Sequence, residues 1–189
     1  MISADVLSKL NKPKQIYFFM RKLAFFLLLS TVAANFACNS QTPASPRVKA
    51  ESANVTVAYG QPSKKGRVVF GGEGTKALET YGKVWRTGAN EATEITFKKD
   101  GMFGGKEVKA GTYSLFTIPG EKEWSVILNS SLKQWGAYGY DKIKDKDVVK
   151  ISVPAQTMKE SAEKLTFAVS DNKLDFMWDT AMFSVPLKF

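Results

Sequence analysis

The 189-residue chain has no histidine and a single cysteine, Cys38. Without imidazole it cannot build a Ser-His-Asp or Cys-His nucleophile system, a histidine zinc site or a histidine-ligated haem. One thiol closes no internal disulfide, so the fold must rest on its hydrophobic core. The apolar stretch Leu23 to Ala34 falls short of the roughly 20 residues that cross a bilayer as an ordinary helix. Gly71-Gly72-Glu73-Gly74 lacks the Lys-Ser or Lys-Thr of a phosphate loop and reads as a turn. Asp141, Asp145 and Asp147 lack the Gly and closing Glu of a calcium loop, so neither metal nor cofactor is expected.

Charge is likewise uninformative about a polymeric anion. The formal net charge is +9, but Lys and Arg are scattered among Asp and Glu and form no long run, which speaks against nucleic acid as a partner. Lys9, Lys12, Lys14, Arg21 and Lys22 precede Cys38 against one acid there, Asp5, so the rest of the chain is only mildly basic. A length of this order points to one domain.

What is present begins with a targeting pattern. Met20-Arg21-Lys22 is followed by the apolar stretch Leu23 to Ala34 and then by Asn35-Phe36-Ala37-Cys38. A charged start, a short apolar run and a small residue before a cleavage point form an export signal. With the sole cysteine directly after Ala37, the segment resembles a lipoprotein signal, in which the thiol is acylated and becomes the new N-terminus. Asn35 and Phe36 depart from the usual Leu and small-residue pattern. The competing readings are an ordinary secretory signal cut near Ala37 and a buried apolar helix with an incidental cysteine. The expected organisation is a signal segment over 1–37 with translation starting at Met20, a polar tether over 38–47, and a domain over 48–189. The protein is then exported to the periplasm or outer membrane and held on the membrane through lipid on Cys38, for which two acyl chains give stable attachment.

Past the tether, period-2 alternation dominates. Ala53, Val55, Val57 and Tyr59 share a face, as do Ile95 with Phe97, and Trp124 with Val126 and Leu128. The pattern returns at Val149, Ile151 and Val153, at Leu165, Phe167 and Val169, at Leu174, Phe176 and Trp178, and from Phe183 to Phe189. Asp100-Gly101, Gly104-Gly105, Pro119-Gly120 and Asp171-Asn172 supply turns between them. Many short strands without long helical periods predict an all-β protein, an antiparallel β-sandwich with jelly-roll connectivity left open. One or two short helical turns are expected, at Lys76 to Tyr81 and Thr157 to Lys164. Lys142 to Asp147 reads as a solvated loop.

Four blocks carry a resemblance. They are Pro62-Ser63-Lys64-Lys65-Gly66-Arg67, then Tyr81-Gly82-Lys83-Val84-Trp85-Arg86-Thr87-Gly88-Ala89-Asn90-Glu91-Ala92-Thr93, then Ala110 to Gly120, and Gln134-Trp135-Gly136-Ala137-Tyr138. In this order they resemble the bacterial family catalogued as domain of unknown function 2911, common in Bacteroidetes-type genomes. The resemblance implies exported, often lipid-anchored proteins without an established activity, and it transfers no catalytic residue. Gly71 to Thr80 is longer and richer in glycine than the family's link between the first two blocks.

Two clusters are candidate sites. Trp85, Arg86, Asn90 and Glu91 join a ring, a cation, an amide and a carboxylate, a set that can stack on a sugar or peptide and hydrogen-bond it. The same residues can serve packing instead, with Trp85 in the core, Arg86 paired to Glu91, and Gly88 and Asn90 at positive φ. Trp135 and Tyr138 sit among glycines in a loop able to present flat rings to a ligand. The leading expectation is a non-catalytic module binding a glycan, a peptide or an envelope protein. One alternative is a carboxylate-dependent glycoside hydrolase, with Glu91 as first candidate and a second acid in a cleft around Trp85. Another is a structural subunit of an envelope complex. Glu91 and Glu94, three apart, would point to opposite faces of a continuous strand.

Overall fold

The structure, a computed structural model, describes residues 45–189. The expected signal segment 1–37, Cys38 and residues 38–44 of the expected tether lie outside the described residues. Twelve strands follow: β1 Arg47–Glu51, β2 Val55–Gly60, β3 Phe70–Gly71, β4 Glu79–Thr80, β5 Thr93–Phe97, β6 Gly101–Phe103, β7 Lys106–Val108, β8 Gly111–Ile118, β9 Glu123–Asn129, β10 Asp147–Pro154, β11 Gln156–Val169 and β12 Lys173–Lys188. The first strand opens one residue before the expected domain start.

The protein is an all-β sandwich. One sheet has the order β1-β2-β5-β8-β9-β10 and the other β11-β12-β6-β7, antiparallel throughout. The larger sheet follows chain order, so it is a meander with excursions, in place of the jelly-roll connectivity left open from the sequence. Only β3 and β4, a two-residue pair, run parallel. Among the described residues no helix is long and apolar enough to cross a membrane.

The alternating residues meet between the sheets. Val55, Val57, Ile95, Phe97, Leu115, Trp124, Val126 and Leu128 from the larger sheet pack against Leu165, Leu174, Phe176, Trp178, Phe183 and Val185 from the smaller. Phe176 lies at the centre of an aromatic cluster, stacked on Phe183 at 4.8 Å and edge-on to Phe70, Trp85 and Phe167. Ala53, expected on the inner face, is exposed in the turn before β2.

Two expectations fail. Lys76 to Tyr81 forms no helical turn; Glu79–Thr80 is β4, its Glu79 N–H donating to the Val69 carbonyl at 2.9 Å. Thr157 to Lys164 lies within β11, and the helical turns are 3₁₀, at Tyr140–Lys142 and at Lys144–Lys146, the second inside the expected loop Lys142 to Asp147, whose lysines are exposed. Helix-favouring residues in β11 are overridden by pairing to β12, although the register slips between Thr157 and Ala162 and again before Thr166. A polar clamp stabilises this irregular stretch. Lys64 pairs with Asp179, and Ser161 Oγ donates to Asp179 Oδ1 at 2.7 Å and accepts from Lys64 Nζ at 2.9 Å. Lys64 N–H also donates to the Glu163 carbonyl at 2.8 Å, and Leu165 N–H to that of Pro62 at 3.0 Å, so residues 62–64 cover the outer edge of β11.

Asp179 has φ +52°, a conformation asparagine also tolerates. Burial alone would raise its pKa, but the hydrogen bonds from Lys64 and Ser161 outweigh it and hold the carboxyl below its usual value. A lowered folded-state value means that the stabilisation is complete above the ordinary carboxylate range and is lost as pH falls through the lowered value. Asp179→Asn is therefore expected to cost about 1–2 kcal/mol at pH 7. The difference from the parent should shrink as pH falls below the ordinary carboxylate range; urea unfolding at pH 7 and across that acid range checks this.

Candidate functional site

The outer face of the larger sheet is not left to solvent. Strand alternation that turns Leu115 and Leu128 inward turns Phe116 and Ile127 outward, where Val84, Ala137, Tyr140 and Ile143 cover them. The Phe116 and Tyr140 rings meet edge-on at 5.2 Å. Residues 130–146 are thereby folded onto the sheet and fixed by buried Asn129. Its Nδ2 donates to the Ile143 carbonyl at 2.7 Å and to Asp147 Oδ1 at 2.8 Å, while its Oδ1 accepts from Ser131 N–H at 2.8 Å. Tyr140 OH donates to Asp147 Oδ2 at 2.5 Å, and burial together with this bond raises its pKa. Asp147 is thus committed to the scaffold.

A second segment enters the same sheet. Trp85 and Thr117 exchange backbone hydrogen bonds of 2.7 and 2.9 Å, extending the line of β5 beyond Thr93. Trp85 goes into the core at 3 % exposure, stacked with Trp178 at 5.8 Å. The next residue, Arg86, lines the outer concavity. Thr87 then adopts φ +57° while fully buried, an outlier for a β-branched residue that costs on the order of 1–3 kcal/mol. It is held there by Thr93 Oγ1, which donates to its carbonyl at 2.7 Å, and by the Thr117 hydroxyl at 3.1 Å. Asn90 has the expected positive φ, +65°, but Gly88 does not. Gly88 serves close approach instead, since a Cβ there would lie 3.0 Å from the Gly60 carbonyl oxygen and 3.1 Å from Thr93 Oγ1.

The six candidates divide between two concavities. Trp85, Arg86 and Tyr138 line one of about 290 Å³ together with Leu78, Glu79, Val84 and Ala137. Glu91 and Trp135 line another of about 440 Å³ with Arg47, Glu94 and Lys133. Asn90 lines neither: its Nδ2 donates to the Ser45 carbonyl at 3.1 Å and its own carbonyl accepts from Gly136 N–H at 3.1 Å, so it joins the two segments. The Arg86–Glu91 pair does not form. Arg86 Nε donates to the Gly88 carbonyl at 3.1 Å, and half-exposed Glu91 faces Arg47 at 3.7 Å. Arg47 also meets Glu94 at 3.1 Å. The strand is not continuous between them: Glu91 forms an isolated bridge to Trp135 ahead of β5, which begins at Thr93, and so both carboxylates reach one guanidinium.

Glu79 was missed in the sequence because the segment around it read as helix. No local signal marks it; tertiary burial does. Burial pushes its carboxyl up to about 7, against the pull of the Arg86 guanidinium. A raised folded-state value gives stability that is complete below the unfolded value of 4.5 and is lost as pH rises through 7. Glu79→Gln removes that loss. It should be more stable than the parent at pH 8 by on the order of 1–2 kcal/mol and nearly equal at pH 4 in urea unfolding. A pH-independent difference would show that the carboxyl is not strained by burial.

The sequence model of the family described as protein of unknown function (DUF2911) matches residues 41–187. The chain belongs to this family. No curated protein and no solved structure matches it. In this DUF2911 domain the four sequence blocks acquire places. Residues 62–67 cover an edge of the smaller sheet, and Ala110 to Gly120 holds the central strand β8. Residues 81–93 and 134–138 each contribute to both concavities. Among the described residues no three of Cys, His, Asp and Glu come together as metal ligands.

Proposed function

We propose that this DUF2911 domain is a non-catalytic saccharide-binding module, exported and carried on a membrane through lipid on Cys38. The observation that carries the binding reading is Tyr138. Its ring is 88 % exposed at a concavity that also holds a guanidinium and a carboxyl group, Arg86 and Glu79. An aromatic face takes the apolar face of a sugar ring, while the cation and the carboxyl group bond its hydroxyls. Gly136 lets the ring and the guanidinium sit close above the backbone, since a Cβ there would lie 2.8 Å from the Tyr138 ring and 3.3 Å from Arg86 Nη1. The export and anchor part rests on the signal pattern at residues 20–38 and on the family resemblance.

Hydrolysis by a carboxylate pair needs two acids in one cleft. Around Trp85 the lining offers Glu79 alone; Glu91 and Glu94 do share the other concavity, but there both are paired with the Arg47 guanidinium, at 3.7 and 3.1 Å. A glycan array with the chain from residue 41 onward tests the binding reading. Binding to at least one glycan is expected, weakened about tenfold or more by Tyr138→Ala, which corresponds to about 1.4 kcal/mol. An array without hits, or hits untouched by Tyr138→Ala, would overturn it.

A further inference from the structure

The two concavities repeat one chemistry. Each sets an exposed aromatic ring beside a cation and a carboxyl group: Tyr138 with Arg86 and Glu79 in the first, Trp135 with Arg47, Lys133, Glu91 and Glu94 in the second. The rings belong to one short segment, and of the five large hydrophobic side chains exposed among the described residues, three fall within it: Leu132, Trp135 and Tyr138. Scattered exposed apolar residues are ordinary on a protein surface, but a cluster marks a contact surface. Trp135 is 67 % exposed and belongs to neither buried cluster, so packing does not account for it.

The segment is rigid where it counts. Ala92 N–H donates to the Gln134 carbonyl at 2.8 Å and Gly136 N–H to that of Asn90 at 3.1 Å, on either side of the Glu91–Trp135 bridge. Lys133 and Gly136 hold φ +58° and +73°. Two residues lie between Trp135 and Tyr138, so their Cα atoms are at most about 11 Å apart, a distance that a short run of linked sugar units can bridge.

We propose that the two concavities are neighbouring subsites for a linear saccharide, one unit lying against Tyr138 and another against Trp135. The proposal rests on the saccharide-binding reading of the Tyr138 site and adds that the ligand is a chain rather than a single sugar. Occupying a second subsite on the same molecule adds affinity by effective concentration, without altering the first.

The test is titration calorimetry with oligomers of one to six units of N-acetylglucosamine, glucose, mannose and galacturonate, on the chain from residue 41 onward. Affinity should rise tenfold or more between one unit and three or four, then level off. Trp135→Ala should erase this gain, so that affinity no longer rises with length. Tyr138→Ala should weaken every length. Affinity that is flat with length, or a Trp135→Ala variant that keeps the gain, overturns the two-subsite proposal while the Tyr138 reading stands. Binding of none of the four series at any length overturns both. Near-ultraviolet circular dichroism confirms that Trp135→Ala, which removes an exposed ring, is folded.

Discussion

Phe176→Ala is expected to destabilise the domain by about 3–5 kcal/mol, read as a lower urea midpoint with an unchanged slope. Phe176 is fully buried on β12, stacked on Phe183 and in ring contact with Phe70, Trp85, Trp124 and Phe167. Removing it leaves a cavity that these rings cannot all close, because each is fixed by other neighbours. Domains of this kind have about 5–15 kcal/mol in total, so the variant loses a large part of its stability. No disulfide is available within the chain to offset the loss, since Cys38 is the sole cysteine. A cost below about 1 kcal/mol would mean that the cluster repacks freely.

Gly60→Ala should cost about 3 kcal/mol and abolish ligand binding together. Gly60 ends β2, and a Cβ there would lie 2.0 Å from the Ala89 carbonyl oxygen, a backbone atom that moves only if the 87–90 turn moves. Gly88 also approaches Gly60 closely, and the Ala89 N–H donates to the Gly60 carbonyl at 3.2 Å. Displacing the turn shifts Arg86 on one side and Glu91 on the other, so both concavities lose their shape. Gly72→Ala is the matched control: a Cβ there meets nothing within 4 Å, and its φ is not positive. It should leave stability within about 0.5 kcal/mol of the parent. Thermal unfolding and glycan binding of the two variants check both expectations.

Strands with one face in water were readable from the sequence. In β10, Val149, Ile151 and Val153 alternate with exposed neighbours, and the structure places them inward as the pattern requires. The central strand β8 hid its environment, because the 130–146 segment covers its outer face and leaves Tyr113 to Thr117 buried on both sides. β11 hid its conformation. Met158, Lys159, Glu160, Ala162, Glu163 and Lys164 favour helix locally, and what makes them strand is pairing to β12 and the Lys64–Asp179 clamp, whose members lie 115 positions apart.

The candidate site was readable by residue type but not by grouping. Trp135 and Tyr138 stood out among glycines, and both are exposed rings. Trp85 beside Arg86 looked like one cluster with Glu91, yet alternation sends Trp85 inward and Arg86 outward, and the turn at Thr87 carries Glu91 to the other concavity. Arg47 and Glu79 had no local mark. Their roles come from the fold, which lets Arg47 of β1 reach Glu94 of β5 across β2 and sets Glu79 of β4 in one concavity with Arg86.

The central claim is that ligand binds where residues 84–92 meet residues 133–138. Chemical-shift mapping with the strongest oligosaccharide ligand tests it most directly, aided by the fact that Trp135 is exposed whereas Trp85, Trp124 and Trp178 are buried. The account predicts shifts at the Trp135 indole and at the backbone amides of Glu79, Arg86, Gly136 and Tyr138, with the Trp124 and Trp178 indoles unmoved. Shifts confined to the concavity at the other sheet's edge, lined by Gly101, Met102, Val108 and Phe189, would contradict it.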